Sequence, residues 1–268
     1  MNRYEALFER LGSEGAFVPF FMLGDPDLET SLDIIRTAIR HGADALELGV
    51  PFSDPVADGP TIAAAHLRGL NAGGTIEVCL SLIRRIREEF PDIPIGMLVY
   101  SNVAFSRGID AFYQEFSDAG ADSILMPDLP VRESLPFVRA AHAAHIAPIF
   151  IAPAQASAAT LAEVAQLSQS YIYAISRDGV TGTERTAQMT GLKEVVENIA
   201  RFNGPPVLLG FGISKPEHVT NALAAGARGA ITGSALSSII ATYQGDQSRE
   251  DLLAQLGSYI AKMKAATI

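Results

Sequence analysis

The feature that most constrains this chain is a junction that recurs three times, in which a helical pattern ends at a glycine and an apolar segment follows. Residues 41–44, 119–122 and 225–228 have the sequences HGAD, AGAD and AGAR. A glycine just past the end of a helix readily adopts the left-handed conformation that terminates the helix. The repeat therefore predicts a chain built from successive units of helix, glycine stop and strand.

Short apolar segments typical of strands occur at eight places in the chain, and helical patterns separate every consecutive pair. The helical periodicity is most regular at residues 76–90, 109–119, 131–145 and 192–202, and residues 2–11 add an amphipathic helix before the first strand. The eight predicted strands are residues 17–23, 45–50, 95–100, 123–126, 148–151, 171–176, 207–211 and 230–232.

This alternation predicts an α/β protein whose eight strands close into a parallel (β/α)8 barrel, the TIM barrel, with an extra N-terminal helix and helical insertions. An open, doubly wound parallel sheet is the structural alternative. Proline and glycine are spread at turn spacing and do not accumulate in a linker, so residues 1–268 are predicted to form a single barrel domain. Hydrophobic residues make up 48% of the chain, which is enough for one large core.

The composition favours a soluble protein of the cytoplasm. The formal net charge of −10 argues against nucleic acid or an anionic membrane as partner, because basic patches supply most of that affinity. No apolar run reaches membrane-spanning length, and the first residues do not form a signal peptide. The single cysteine, Cys79, excludes an internal disulfide and fits a reducing compartment. It falls on the apolar face of a predicted helix, where we expect a buried packing residue and not a nucleophile.

The histidines show no metal-binding pattern. Of the five, only His142 and His145 have a spacing that ligands could use. Both fall in a predicted outer helix, where solvated side chains are the expectation. We therefore predict no metal site.

Residues 44–60, DALELGVPFSDPVADGP, contain the most distinctive local pattern. Residues 45–50 alternate as in a strand, and Glu47 lies on the face opposite the large apolar side chains. In a sheet with one wet side Glu47 would be solvated, whereas in a parallel barrel it points into the lumen. An unpaired carboxylate there is costly and is normally kept for function. Three prolines and two aspartates follow, so the strand leads into a stiff acidic loop.

Catalytic groups of such barrels lie on the loops that follow the strands. The loop at residues 177–186 is polar and contains two glycines, which is typical of a mobile lid; an idle surface loop is the alternative. The sequences GFGIS at 210–214 and GSA at 233–235 end the last two strands. Glycine amides and a helix start at this place favour a phosphate site, with ordinary tight turns as the alternative.

Together these motifs resemble the alpha subunit of tryptophan synthase. The resemblance spans nearly the whole chain in order, and its long acidic-loop motif is highly specific, whereas the glycine motifs alone are not. Met22 and the pair Ser237 and Ser238 depart from the family's usual residues, and the first departure affects the pocket. The motifs that carry the resemblance are residues 46–49, 51–60, 126–130, 176–182, 210–214 and 233–235.

The resemblance implies cleavage of indole-3-glycerol phosphate into indole and glyceraldehyde 3-phosphate. It implies that the indole passes to a beta subunit carrying pyridoxal phosphate in an α2β2 heterotetramer, with no cofactor in this chain. By the same resemblance Glu47 is the general acid and base, and Asp58 is the carboxylate that holds the indole N–H. Contacts to the beta subunit are implied for Asp54, Asn102, Phe105 and Pro130. Substrate contacts are implied for Phe20, Tyr100, Tyr173, Thr181, Gly182, Phe211, Gly212, Gly233 and Ser234.

The residue types also fit this chemistry. A retro-aldol cleavage needs an electron sink, and the usual sinks are a lysine Schiff base or a metal. All four lysines fall on predicted outer helices or their starts. Protonation of an indole ring at C3 creates a sink within the substrate, so one carboxyl group must move protons and one ionised carboxylate must stabilise charge at N1. Glu47, with a pKa raised by desolvation, suits the first role, and Asp58 suits the second.

Two other functions remain open from the sequence. A stand-alone barrel enzyme for another phosphorylated substrate would keep the glycine segments but not the whole acidic loop. A non-catalytic regulatory subunit would be favoured by loss of the acid and base, and Glu47 is present. For Asp54 the alternative to a partner contact is a simple turn-forming role between Ser53 and Pro55.

Overall fold

The computed structural model describes residues 2–175, 191–243 and 248–268. All the described strands run parallel in one sheet, in the order β5-β4-β3-β2-β1-β9-β8-β7-β6. They are β1 (Ala16–Met22), β2 (Leu46–Gly49), β3 (Ile95–Leu98), β4 (Ser123–Leu125), β5 (Ala147–Ile149), β6 (Ile151–Pro153), β7 (Ile172–Ile175), β8 (Val207–Gly210) and β9 (Gly229–Thr232).

The edges of this sheet, β5 and β6, are two halves of one strand. Only Phe150 separates them, and β5 pairs with β4 while β6 pairs with β7. The Tyr173 N–H also donates to the Phe150 carbonyl at 3.1 Å. The strand therefore joins both edges, which gives eight strand positions, and the predicted (β/α)8 barrel is confirmed. The break within the fifth strand was not predicted.

Twelve α-helices and one 3-10 turn, at Val131–Glu133, surround the strands within the described ranges. The α-helices are α1 (Arg3–Leu11), α2 (Leu28–Arg40), α3 (Pro60–Asn71), α4 (Ile76–Glu89), α5 (Ser101–Arg107), α6 (Ile109–Ala119), α7 (Leu135–Ala143), α8 (Ala158–Leu167), α9 (Leu192–Arg201), α10 (Pro216–Ala224), α11 (Ser234–Ala241) and α12 (Arg249–Ala265).

Most predicted helices match, but the one expected at residues 131–145 is shorter. A 3-10 turn occupies its first three residues, and α7 starts at Leu135 with Pro136 in its first turn. Proline favours that place because its missing N–H would have no acceptor there. His145 lies beyond the helix end with a φ of 59°.

The recurrent glycine junctions have a second function in the fold. Asp44 follows one of them, and its carboxylate accepts the Phe17 N–H at 2.9 Å at the start of β1. Asp122 follows another and accepts the Ile95 N–H at 2.8 Å at the start of β3. Each aspartate thus fixes the start of the preceding strand, and each also binds a cation, Lys264 or Arg87.

Helix α1 closes the barrel at the amino-terminal ends of the strands. Its apolar stripe of Tyr4, Leu7 and Leu11 is buried, as its periodicity predicts. The Tyr4 hydroxyl lies 2.9 Å from the Ser123 Oγ atom, and its ring packs on Tyr171 at 5.4 Å. Helix α1 therefore covers the amino-terminal ends of the strands.

Candidate functional site at the carboxyl ends of the strands

A cavity opens at the carboxyl ends of the strands, the usual place for a ligand site in this fold. It brings together eight of the residues that the sequence pointed to, from both halves of the barrel. Four more apolar side chains, Ile62, Leu98, Ile213 and Ile231, complete its wall. The eight are Phe20, Glu47, Asp58, Tyr173, Phe211, Gly212, Gly233 and Ser234.

Glu47 lies at the centre of β2 and faces the lumen. Its backbone neighbours across the sheet are Phe20 on β1 and Gly96 on β3. The residue is 1% exposed, and its Oε1 atom has no hydrogen-bond partner among the described residues. Burial, and secondly the nearby charge of Asp58, raise the pKa of Glu47 to about 8, against the opposing effect of a hydrogen bond from Tyr171. At neutral pH this carboxyl group therefore carries its proton.

Asp58 lies at the end of the acidic loop, and its side chain is 5% exposed. The Tyr100 hydroxyl donates to its Oδ2 atom at 2.7 Å, and the same hydroxyl accepts the Ala57 N–H at 3.0 Å. The Phe52 ring stacks on the Tyr100 ring at 5.2 Å. Tyr100, the residue before α5, thus holds both the carboxylate and the loop that carries it.

The histidine at position 66 is a site residue that the sequence did not single out. It is 1% exposed on α3, and its Nε2 atom lies 3.1 Å from Asp58 Oδ2. Its Nδ1 atom accepts the Phe52 N–H at 3.0 Å. A helical histidine shortly after an acidic loop was the only available signal, and nothing in the sequence shows which way its ring points.

Tyr171 is a second residue that the sequence left without a role. It alternates with Tyr173, so both face the lumen, and period two could have indicated this. Burial raises the pKa of the Tyr171 hydroxyl, and the neighbouring Tyr4 and Glu47 raise it further. Tyr173 stands closer to the pocket mouth, where Gly210 gives it room, since a Cβ at Gly210 would lie 2.1 Å from the tyrosine ring.

Part of the cavity wall is formed by the segments that follow β8 and β9, where backbone groups of Gly212 and Gly233 line the cavity. Phe211 and Gly212 have φ values of 63° and 74°, so a non-glycine residue is held in the left-handed region next to a glycine. Such strain is found mainly at functional sites. Helix α11 starts at Ser234, and its first intrahelical bond runs from the Ser237 N–H to the Gly233 carbonyl. The backbone N–H groups that precede Ser237 in this helix have no acceptor within the helix. They can therefore donate to an anion.

The two unusual positions have simple environments. Met22 is buried, and its Cε atom would lie 2.8 Å from a Cβ at Gly49, so the glycine accommodates the larger methionine. Ser237 is buried on α11, and the Ser238 hydroxyl donates to the Ser234 carbonyl at 2.8 Å. Thr181 and Gly182, together with the rest of the predicted lid at 177–186, lie outside the described residues.

The four residues expected to contact a partner do not line the cavity: Asp54 and Pro130 are on loops, and Asn102 and Phe105 are on α5. Asp54, Asn102 and Pro130 are exposed, and Phe105 is 61% exposed with its ring edge-to-face on Phe137. The backbone carbonyl of Asp54 accepts the Val56 N–H at 2.8 Å, as in a tight turn.

In the part of the chain that the structure describes, no group of three or more histidine, cysteine, aspartate or glutamate residues could hold a metal ion. None of the four lysines is among the residues that line the cavity; Lys193 is on α9, Lys215 is at the start of α10, and Lys262 and Lys264 are on α12. Over the same residues, no helix combines the length and apolar character that a membrane span requires.

Comparison with known proteins gives consistent results. A family model described as the tryptophan synthase alpha chain matches residues 8–268. A tryptophan synthase alpha chain from Corynebacterium diphtheriae is 63% identical, with 100% of both chains covered. The solved tryptophan synthase subunit alpha from Legionella pneumophila has a TM-score of 0.88 at 28% identity and covers 100% of this chain and 98% of its own. A chain of the α2β2 tryptophan synthase complex from Pyrococcus furiosus has a TM-score of 0.82 at 28% identity, covering 94% and 98%.

The fold and the pocket define the class of this protein, a (β/α)8 barrel with a pocket at the carboxyl ends of its strands that is lined by two carboxyl groups. Within that class, the matched family model and the relative of high identity are decisive. The chain belongs to the tryptophan synthase alpha chain family. Its activity is that of a carbon–carbon lyase of tryptophan biosynthesis, which cleaves indole-3-glycerol phosphate into indole and glyceraldehyde 3-phosphate.

Proposed function

We propose that Glu47 and Asp58 divide the chemistry of this cleavage between them. The observation that carries the proposal is the contrast between the two carboxyl groups in one cavity. Glu47 is buried beside apolar walls with a pKa of about 8, whereas the Asp58 carboxylate receives hydrogen bonds from neighbouring side chains. Groups in such different environments can act as a proton donor and as a fixed negative charge at the same pH.

In this mechanism Glu47 delivers its proton to C3 of the indole ring. The ring nitrogen then carries positive charge, and the ionised Asp58 carboxylate stabilises it at the N1–H. The bond between C3 and the alcohol carbon breaks, and its electron pair restores the aromatic ring. The Glu47 carboxylate takes the proton of the alcohol as the aldehyde forms, so it ends the cycle protonated.

The rest of the cavity binds the substrate. The aromatic side chains of Phe20, Tyr173 and Phe211 form the apolar part for the indole, and Gly212, Gly233 and Ser234 supply backbone donors for the phosphate. Tyr100 is not among the residues that line the cavity, and it acts on the substrate through Asp58, whose carboxylate its hydroxyl binds. We also assign Thr181 and Gly182 to substrate binding, on the family resemblance alone.

The partner we propose is a tryptophan synthase beta subunit, in an α2β2 assembly with one barrel domain, residues 1–268, in each alpha chain. The α2β2 complex of the Pyrococcus furiosus relative supports this assembly. Pyridoxal phosphate would then belong to the beta subunit. We propose a cytoplasmic location because the only cysteine, Cys79, is unpaired and buried.

The proposed contact surface is joined to the active site through three loops. Asp128 accepts both the Ser101 N–H at 2.9 Å and the Ser101 hydroxyl at 2.8 Å, so the loops after β3 and β4 are braced together. Ser101 follows Tyr100, whose hydroxyl binds Asp58. A partner bound to Asn102 and Pro130 would therefore contact the two braced loops. A change in those loops would reach Tyr100, which holds the Asp58 carboxylate.

The direct test is a cleavage assay of the purified chain with indole-3-glycerol phosphate, with indole and glyceraldehyde 3-phosphate measured separately. We expect both products in equal amounts, and their release in D₂O should leave deuterium at C3 of the indole. Indole without deuterium at C3 would contradict protonation at that carbon.

A further inference from the structure

The imidazole of His66 is buried beneath the acidic loop, and the proposed reaction gives it no proton to carry. It lies eight residues after Asp58, on the second turn of α3. A buried polar side chain of this size is kept where it makes specific hydrogen bonds, because burial without them is costly.

The hydrogen bonds of His66 define its tautomer. Its Nδ1 atom accepts the Phe52 N–H at 3.0 Å, and a nitrogen that accepts a hydrogen bond carries no proton. In the neutral ring the proton is therefore on Nε2. That atom is 3.1 Å from Asp58 Oδ2, so the Nε2–H donates to the carboxylate.

Asp58 Oδ2 consequently receives two donors from different elements. The Tyr100 hydroxyl approaches from the start of α5 at 2.7 Å, and the His66 ring approaches from α3. Both donors are themselves fixed by the acidic loop, through the amides of Phe52 and Ala57. Hydrogen bonds to an ionised oxygen are stronger than those between neutral groups, so the pair fixes the plane of the carboxylate.

We propose that His66 is a positioning residue, whose Nε2–H orients the Asp58 carboxylate toward the indole N–H. The inference rests on the proposed role of Asp58. Orientation matters here because a fixed charge stabilises a transition state only where the charge develops, and a rotated carboxylate would be too far from N1.

Two substitutions separate this role from simple support of the loop. In His66→Gln, the amide nitrogen is the same number of bonds from Cα as Nε2, so the donor to Asp58 can be kept while the acceptor for Phe52 is lost. In His66→Asn, the amide oxygen matches Nδ1 instead, so the Phe52 contact can be kept while the donor is lost. The pair thus removes one hydrogen bond at a time.

We expect kcat for indole release to fall about tenfold to a hundredfold in His66→Asn and by less than about fivefold in His66→Gln, since one charge-assisted hydrogen bond is lost only in the first. KM should change little in both because the phosphate contacts are untouched. His142→Gln, on the exposed surface of α7, is the matched control and should behave as wild type. Any result in which His66→Gln is not the more active of the two variants overturns the inference.

Two further measurements keep the outcome decisive. Asp58→Asn is assayed in parallel. If Asp58→Asn keeps full turnover, the proposed role of Asp58 is wrong. If Asp58→Asn loses activity but the two His66 variants do not differ from each other, only the positioning role of His66 is wrong. Should either His66 variant not fold, the ¹⁵N NMR spectrum of the wild-type imidazole provides the test. A proton on Nε2 supports the inference, and a proton on Nδ1 overturns it.

Discussion

Replacement of Glu47 by glutamine should stabilise the folded chain, although it removes a group essential to the reaction. Burial raises the pKa of this carboxyl group from 4.5 to about 8. The folded chain therefore binds the Glu47 proton more tightly than the unfolded chain does. By linkage, the free energy of unfolding falls as the pH rises between these two values, and glutamine is not subject to this loss.

The magnitude follows from the two pKa values. Below about pH 4.5 the carboxyl group is protonated in both states, so it contributes no pH-dependent penalty. Above that, each pH unit lowers the free energy of unfolding by about 1.4 kcal/mol until the folded-state pKa is reached. The penalty is then about 3 kcal/mol near neutral pH, and on the order of 5 kcal/mol at and above about pH 8. The glutamine amide is close in shape to the protonated acid, so packing should change little.

The assay is urea unfolding of wild type and Glu47→Gln at about pH 5 and about pH 8, with the difference in free energy of unfolding compared between the two pH values. Other titrating groups are common to both proteins and cancel in this difference. Glu163→Gln, at an exposed position on α8, is the control and should show no pH-dependent gain. Equal stability of wild type and Glu47→Gln at both pH values would refute the claim that Glu47 is desolvated and protonated.

Three further predictions concern other parts of the site. Asp58→Asn should lower kcat far more than it raises KM, because the charge at N1 develops in the transition state; steady-state kinetics in which only KM changes would contradict this. Gly212→Val should weaken glycerol 3-phosphate binding by calorimetry far more than indole binding, because valine rarely adopts the φ of 74° at which Gly212 presents its backbone to the cavity; equal loss for both ligands would contradict this role. Asp54→Ala should leave cleavage by the isolated chain intact but reduce activation by the beta subunit by about 1–3 kcal/mol of coupling, and equal activation of both proteins would refute this role.

The barrel could be predicted from the sequence because its signals are local and repeated. Glycine stops, apolar strands and amphipathic helices each depend on a few neighbouring residues. They can therefore be recognised without knowledge of tertiary contacts. One of the two features that differ depends on such contacts. The fifth strand breaks at Phe150, and its halves pair with different neighbours, β4 and β7. The helix predicted at 131–145 starts late because Pro136 favours the first turn of a helix, a local signal that the apolar periodicity hides.

The candidate site also has features that the sequence predicts and features that depend on tertiary contacts. Period two placed Glu47 on the face opposite its apolar neighbours, and the barrel made that face the lumen. The amino-acid order could not reveal that His66 turns toward Asp58, because the direction of its ring depends on the Phe52 amide and on the packing of α3 against the acidic loop. The left-handed conformation of Phe211 also has no local signal, since phenylalanine rarely adopts it.

The central claim is that Glu47 moves the protons of the cleavage, and the rate of indole release by Glu47→Gln at saturating substrate tests it most directly. Binding of glycerol 3-phosphate, measured on the same preparation, shows that the pocket is intact. Loss of the transferable proton should lower the rate by at least about a hundredfold with unchanged binding of that ligand. A folded Glu47→Gln protein that binds glycerol 3-phosphate and releases indole at nearly the wild-type rate would contradict the account.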